Sequence, residues 1–321
     1  MPVEVITYKE PPPQLFALLK RHVPHSLPLL RRLEFTRFPG GITEQTHILW
    51  ASDVELANDL PASSVGFTAG YLDFSRGPET ELWLYSSLER DHHALPDKTA
   101  AAAAAAESAC GDLAVAALRE VRRIRDRYPD EERRKLPTLL IGGLNNELRC
   151  AMANRGVVFP YVTPWDKWMF RVDELPDIDV SGVAGGALPP GMRWDAVRRE
   201  EIPLVLSRSN IERTERTVKL LRTVAIKLED GTPIAWAFLG PDSSLSSLHV
   251  EPQYRGKGLA KAVAVKILRE HLKDYGDEGY GWADVAPDNL SSQGVCKSLG
   301  GKIAWTINWS KADLDKSFPD L

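Results

Sequence analysis

The chain has little of what marks a disulfide framework, a membrane segment or a nucleic-acid partner. Its 321 residues include three cysteines, Cys110, Cys150 and Cys296, which are far apart and form no Cys-x-x-Cys pair, so reduced thiols and no metal site are predicted. A formal net charge of −4 indicates neither nucleic acid nor a membrane surface as partner. Apolar runs of membrane-spanning length and a signal peptide are also absent. We expect a globular, cytoplasmic protein that is long enough for two domains, with its oligomeric state open.

The most informative stretch is a predicted strand at 245–250, a turn with two glycines, and a predicted helix at 259–272. Such a turn brings free N–H groups to the positive end of a helix dipole, which favours an anion. A Walker loop needs Gly-x-x-x-x-Gly-Lys followed by Ser or Thr, and that spacing is absent. The dinucleotide fingerprint needs a small residue where Lys261 stands. An ordinary surface turn remains as the alternative.

Gln253-x-x-Gly256-x-Gly258 resembles the (Gln/Arg)-x-x-Gly-x-(Gly/Ala) turn with which GNAT acyltransferases bind the pyrophosphate of coenzyme A. Asn289 opens a second predicted helix that ends at Leu-Gly-Gly, which is similar to the second motif of that family. Asp-Gly-Thr-Pro-Ile-Ala-Trp at 230–236 and Ile-Asn-Trp at 307–309 narrow the resemblance to the glycine N-acyltransferase-like (FR47-like) branch. Its members carry a degenerate GNAT-like domain before a catalytic one.

The resemblance implies an α/β (α+β) fold with two GNAT-like domains, at 1–172 and 192–321. Each is expected to hold a mixed, mostly antiparallel sheet flanked by helices, with a splayed pair of parallel strands in the second. A strand at 302–309 is predicted to close the second sheet, and the Pro-, Gly- and Asp-rich stretch 173–191 is the predicted linker. In the first copy, residues 92–100 stand in place of the phosphate turn. Any strand–helix–strand segment would align comparably, so duplication is a hypothesis.

The resemblance also implies a binding set for acetyl-CoA or another acyl-CoA, without a metal. The strand before the turn would pair with the pantetheine and the thioester carbonyl, the turn and helix start would hold the pyrophosphate, and the second helix start would hold the pantetheine. The set is Leu248, His249, Val250, Gln253, Arg255, Gly256, Lys257, Gly258, Leu259, Ala260, Lys261, Asn289 and Ser292. For Arg255 and Lys257, a solvated surface charge is the alternative.

The sequence departs from the family at the catalytic positions. Ser244 stands where glycine N-acyltransferases have a catalytic glutamate, and Ser246, the next inward position, is equally unsuited as a base. His249 has a suitable pKa, but strand alternation would aim it at the other face. Asp242 could act through a water or cap a turn. Cys296 stands where relatives have an acid tyrosine, and could protonate the thiolate or fill the core.

Glu251 and Asp284 are further carboxylates near this strand, and no residue is assigned as the base. The predicted function is transfer of an acyl group, acetyl by default, from acyl-CoA to the amine of a small molecule. Two alternatives stay open: a GNAT-like protein that binds acyl-CoA without turnover, and a protein or peptide N-acetyltransferase.

Overall fold

The structure, a computed structural model, describes residues 3–57, 66–90, 100–180, 187–209 and 211–321, with the backbone alone at 100–106. Residues 92–99, predicted to replace the phosphate turn, and 181–186 of the predicted linker lie outside the described residues. The chain forms two compact units. The first comprises Met1–Leu33, Ile42–Trp165 and Thr306–Leu321, and the second Glu34–Gly41 and Asp166–Trp305.

The first unit is a mixed sheet with helices packed on it. Its strands are β1 (Val5–Tyr8), β2 (Thr46–Ser52), β3 (Phe67–Asp73), β4 (Leu82–Ser86) and β5 (Thr138–Asn145), with the later part of a long strand at Lys302–Asp313 that is numbered β12. Its helices are α1 (Pro13–Lys20), α2 (Leu27–Glu34), α3 (Ala100–Asp126), α4 (Glu131–Lys135), α5 (Asn146–Ala153) and α10 (Leu314–Ser317). The sheet order is β1-β2-β3-β4-β5-β12, and the strand Val158–Arg171, numbered β6, comes next after β12. The pairs β1–β2, β2–β3, β3–β4 and β5–β12 are antiparallel, whereas β4 and β5 are parallel because α3 crosses over between them.

The second unit contains the predicted acyl-CoA elements. Its strands are the end of β6 (Val158–Arg171), β7 (Met192–Asp195), β8 (Arg222–Leu228), β9 (Pro233–Leu239), β10 (Leu245–Val250) and β11 (Tyr280–Val285). Its helices are α6 (Ile202–Ser207), α7 (Glu215–Val218), α8 (Leu259–His271) and α9 (Leu290–Ser298). Strands β7 to β10 form an antiparallel meander, and β11 pairs antiparallel with residues 166–171 of β6.

Strand alternation gives the meander two distinct faces. Thr223 and Phe238 lie opposite each other on β8 and β9, and both line a cavity of about 380 Å³ together with Ile202 of α6 and Val218 of α7. Their face is therefore the one that α6 and α7 cover. The alternate positions, such as Ala237, lie on the opposite face, which is left for α8. All of these apolar residues belong to one core.

Two predictions about the chain's course are corrected. The predicted last strand, 302–309, extends to Asp313, and its residues 307–313 pair with β5 in the first unit, although residues 302–305 lie in the second. The predicted linker, 173–191, is partly core: Leu175 and Val180 are 5% and 0% exposed in the second unit. Arg269 of α8 donates a hydrogen bond to the Leu175 carbonyl at 2.8 Å. A strand joins whichever sheet edge remains unpaired, and that edge is not visible in local sequence.

Candidate active site

Strand β10 carries a β-bulge in its middle. Ser246 pairs with Phe238 of β9, but the next pair is His249 with Trp236, so three steps along β10 match two along β9. Ser247, inside the bulge, has a φ of 51°, a left-handed conformation that is costly for a residue with a Cβ. The extra residue cancels the usual alternation, and Ser246 and His249 therefore lie on the same face.

A gap separates β10 from β11. The two strands are adjacent and joined by the crossover helix α8, yet each belongs to a different ladder: β10 pairs with β9, and β11 pairs with β6. The edge of β10 that faces β11 thus presents backbone groups to the gap. An extended ligand arm can bind such an edge as an added strand does. The predicted splayed pair of strands is confirmed.

The turn after β10 leaves the gap and enters α8. Arg255 donates from Nε to the Val250 carbonyl at 3.0 Å, which ties the start of the turn to the strand. Gly256 and Gly258 have φ values of +76° and +79°, as only glycine adopts readily. The first helical hydrogen bond runs from the Ala262 N–H to the Gly258 carbonyl at 3.0 Å. The N–H groups of residues 259–261 precede that ladder and are available to an anion.

The space around the two glycines differs. A Cβ built on Gly256 would meet no atom of the described residues within 4 Å, whereas one on Gly258 would lie 2.9 Å from the Asp179 carbonyl oxygen. The described residues therefore leave space beside Gly256, and Gly258 lets the chain at Asp179 pack against the helix start. Lys257 lies over the Tyr254 ring, with Nζ 5.5 Å from its centroid, and supplies positive charge at the open side. These residues fit the pyrophosphate of coenzyme A.

The second helix start has the predicted cap. Asn289 accepts a hydrogen bond from the Ser292 N–H at 3.1 Å through its side-chain oxygen, and it is exposed. Its carbonyl oxygen is thus engaged in capping α9, and its amide N–H₂ group is the part left for a ligand. Ser292 contributes its backbone N–H to this cap.

His249 is on the same face as Ser246, contrary to the expectation from alternation. Its ring stacks on Trp236, with centroids 4.6 Å apart and planes at 22°. Nε2 is buried, has no hydrogen-bond partner among the described residues and lies 3.7 Å from Oε1 of Glu251. Glu251 in turn accepts from Arg208 Nε at 3.0 Å. Burial lowers the pKa of His249 against the opposing effect of Glu251, so the imidazole is neutral at physiological pH.

Asp242 and Cys296 have structural partners. Oδ1 of Asp242 accepts from the Ser244 backbone N–H at 3.1 Å and from its hydroxyl at 2.6 Å, so the carboxylate caps the turn between β9 and β10. Cys296 is 3% exposed within the apolar core, and burial raises the pKa of its thiol to about 12. A thiol this deep in the core is a small apolar filler.

Two polar contacts at this site were not predicted. Arg213 donates from Nη2 to the Ser246 hydroxyl at 3.1 Å, which brings a cation to the bulge. Lys167 of β6 pairs with Asp284 of β11 at 2.5 Å across 117 residues of sequence. The only local signal for Lys167 is a charged residue within an aromatic-rich strand, so its partner could not be inferred. No three His, Cys, Asp or Glu side chains among the described residues are grouped to hold a metal ion.

A bulged strand, an unpaired neighbour and a double-glycine turn into the crossover helix are together typical of the GNAT class. Residues 2–173 match the family described as the N-terminal domain of the acyl-CoA N-acyltransferase verG. Since this match covers more than half of the chain, the protein belongs to that acyl-CoA N-acyltransferase family. Residues 195–300 match the GNAT acetyltransferase family. A search of curated proteins finds no match.

Solved structures with the same fold include a protein from Drosophila, which is 16% identical and superposes with a TM-score of 0.59 over 93% of this chain and 94% of its own. A tandem GNAT protein from the clavulanic acid biosynthesis pathway is 11% identical, with a TM-score of 0.50 over 97% of each chain. At such identities the likeness concerns the fold alone.

No helix in the described residues has the length and hydropathy needed to cross a membrane.

Proposed function

We propose that the protein transfers an acyl group from acyl-CoA to the amino group of a small molecule, by direct attack of the amine on the thioester. The observation that carries this proposal is the continuity of three features in the second unit: the bulged edge of β10, the gap to β11 and the open turn at Gly256. Together they provide a path for a pantetheine arm that ends on a phosphate cradle.

The proposed contacts follow this path. Backbone groups at 248–250 pair with the pantetheine, and an N–H near the bulge polarises the thioester carbonyl, a contribution worth a few kcal/mol. The turn 253–258 and the N–H groups of 259–261 hold the pyrophosphate. Asn289 offers its amide to the pantetheine. Acetyl-CoA is the default donor, and the protein would act in the cytoplasm.

We place a small acceptor beside the half-open cavity of about 380 Å³ on the Phe238 face. Phe238 pairs directly with Ser246 at the bulge, so this cavity lies one strand away from the proposed thioester position. Its volume is in the range of small-molecule sites, and its walls are mostly apolar. An amine with an apolar group, larger than glycine, would suit it.

The test is calorimetric titration with CoA and acetyl-CoA of the wild type, Gly256→Glu and Gly156→Glu. Both glycines have a positive φ, +76° and +87°, and at both a built Cβ has no atom of the described part of the chain within 4 Å. The two variants therefore carry the same backbone strain and the same charge, but only Gly256 lies in the cradle. We expect at least about 100-fold weaker binding, or about 2.7 kcal/mol, for Gly256→Glu alone.

Thiol release with a panel of amines then separates the alternatives. Binding without turnover by any amine would favour a non-catalytic acyl-CoA-binding protein, and turnover with peptides alone would favour a protein acceptor. Failure of the folded wild type to bind either CoA species would refute the acyltransferase proposal.

A further inference from the structure

The Lys167–Asp284 pair is the most deeply buried ion pair described at the gap. The two residues are directly opposite on β6 and β11, their Nζ and Oδ1 atoms are 2.5 Å apart, and their side chains are 1% and 8% exposed. Nζ of Lys167 also lies 5.5 Å from the ring centroid of Trp282. A buried ion pair is weak evidence for stability, because desolvation offsets its Coulomb energy. The pair therefore calls for another explanation.

Asp284 lies on the side of β11 that faces away from α8. A Cβ on Gly281 would come within 2.8 Å of Leu268 of α8, so Gly281 and the alternate positions after it face that helix. Asp284 points to the other side. Ser246 at the bulge is also on the face opposite α8, as the pairing of Phe238 with it shows. The crossover helix covers one side of both strands, so Asp284 and Ser246 share the other side of the gap.

A second carboxylate, that of Asp242, affects the pKa of Asp284. Burial raises the pKa of the Asp284 carboxyl. The positive charge of Lys167 opposes this rise, and the negative charge of Asp242 adds to it. In its ionised form, the carboxylate of Asp284 attracts an incoming ammonium ion. Trp282, fully buried beside the pair, has an indole N–H that finds no hydrogen-bond partner in the described structure, so a polar group could still bind on this side.

We propose that Asp284 is the base that accepts a proton from the ammonium group of the acceptor, and that Lys167 is the residue that positions it. This inference rests on the proposed acyltransferase function. The Asp284 carboxylate takes one proton from R–NH₃⁺. The neutral amine then attacks the thioester carbon, the C–S bond breaks, and a second nitrogen proton goes to the CoA thiolate. The third proton stays on the amide, and Asp284 returns its proton to water.

Lys167 comes from the part of the chain that matches the N-terminal family description, residues 2–173, whereas Asp284 lies within the GNAT match, 195–300. The base and its positioning residue thus come from different matched regions. A GNAT segment cut at residue 192 would lack both the strand that pairs with β11 and the cation that faces Asp284.

The experiment compares the double variant Asp284→Asn, Lys167→Met with Glu201→Gln, Lys227→Met. The control removes an equally close pair, 2.6 Å apart, with Lys227 at 0% exposure, in the same unit. Removing both partners avoids an unpaired buried charge, and Asp195, which lies 3.4 Å from Lys227, keeps its pair with Arg193 at 2.7 Å in the control. Both variants should therefore fold and bind acetyl-CoA normally. We expect transfer to an alkylammonium acceptor to fall about 100-fold or more in the Asp284 variant, and less than threefold in the control.

Hydroxylamine, which is mostly neutral at physiological pH, provides the decisive acceptor because it needs no base. The transfer rate of the double variant Asp284→Asn, Lys167→Met should fall less than about tenfold with hydroxylamine as acceptor. In Lys167→Met alone, loss of the cation raises the pKa of Asp284, and the acid limb of kcat/KM should move to higher pH.

Equal losses with both acceptors, or alkylammonium transfer within threefold of wild type in the double variant, would overturn the proposal. Wild-type protein that binds acetyl-CoA and acylates no amine would instead reject the proposed function, and the base with it.

Discussion

The two units contain the same series of strand, crossover helix and strand, but they join the two strands differently. In the first unit β4 and β5 pair in parallel: the Glu81 N–H donates to the Leu140 carbonyl at 3.1 Å, and the Leu140 N–H donates to the Glu81 carboxylate at 3.2 Å. In the second unit β10 and β11 pair with other strands and leave a gap. In the same fold, the two strands joined by the crossover helix can therefore be hydrogen-bonded to each other or separated by a gap.

The two places also differ in single residues at these strands. Strand β4 pairs with β3 in unbroken register, whereas β10 is bulged at Ser247. Each unit also buries an ion pair here. Glu81 uses both oxygens on Arg133 and one on the Leu140 backbone, while Asp284 accepts a hydrogen bond from Lys167 alone among the described residues. The first carboxylate thus has three described hydrogen bonds within the fold, whereas the second, which we propose as the base, has one.

The largest expected effect comes from Arg133→Met, which breaks the buried ion pair with Glu81 in the first unit. The Arg133 and Glu81 side chains are 8% and 7% exposed, so this change leaves the buried carboxylate of Glu81 without its cation. We expect the free energy of unfolding to fall by about 3–5 kcal/mol, measured by chemical denaturation. Arg127→Met, which breaks an exposed pair with Glu120, should cost at most about 1 kcal/mol. Weaker acetyl-CoA binding by folded Arg133→Met would contradict the assignment of the site to the second unit.

The two buried thiols provide an intermediate test, since Cys110 and Cys296 are each 3% exposed, one in each unit. Cys296→Ala and Cys110→Ala should each cost roughly 1 kcal/mol through a small cavity. Because burial raises the pKa of Cys296 to about 12, this thiol stays protonated at physiological pH. Iodoacetamide should therefore modify the partly exposed Cys150 first in the native protein.

We expect turnover in Cys296→Ala to stay within about twofold of wild type, as for a residue whose part is packing. A tenfold fall in kcat with unchanged acetyl-CoA affinity would show instead that Cys296 protonates the leaving thiolate.

The smallest effect concerns the bulge. Ser247→Gly removes a Cβ at a φ of 51° and should raise the free energy of unfolding by up to about 1 kcal/mol. Ser86→Gly in the regular strand β4 should lower it by a similar amount, because it adds chain entropy and removes the bond from Ser86 Oγ to the Phe67 carbonyl. Destabilisation by Ser247→Gly in denaturation experiments would mean that the bulge does not strain residue 247.

Much of the second unit could be predicted because its signals are local. The strand at 245–250, the start of α8 at Leu259 and the Asn289 cap agree with the structure. The family matches support the GNAT resemblance. The roles of individual residues in binding acyl-CoA remain predictions.

The catalytic side was harder to infer, because it depends on geometry that alternation alone misrepresents. His249 was expected on the far face, and the bulge returns it to the Ser246 face. Asp242 was a candidate base, and its described hydrogen bonds are those of a turn cap.

The sequence by itself determined the turn after β10 and the two helix starts: glycines at two left-handed positions, a helix start beside them and a capped second helix, all set by contacts between residues close in the chain. The tertiary structure decided which strands pair, where β10 bulges, and that Lys167 meets Asp284 across 117 residues. It also decided that the last strand pairs with β5. The physical reason is that strand pairing is a choice among distant edges of similar local preference, and only the packed core selects among them.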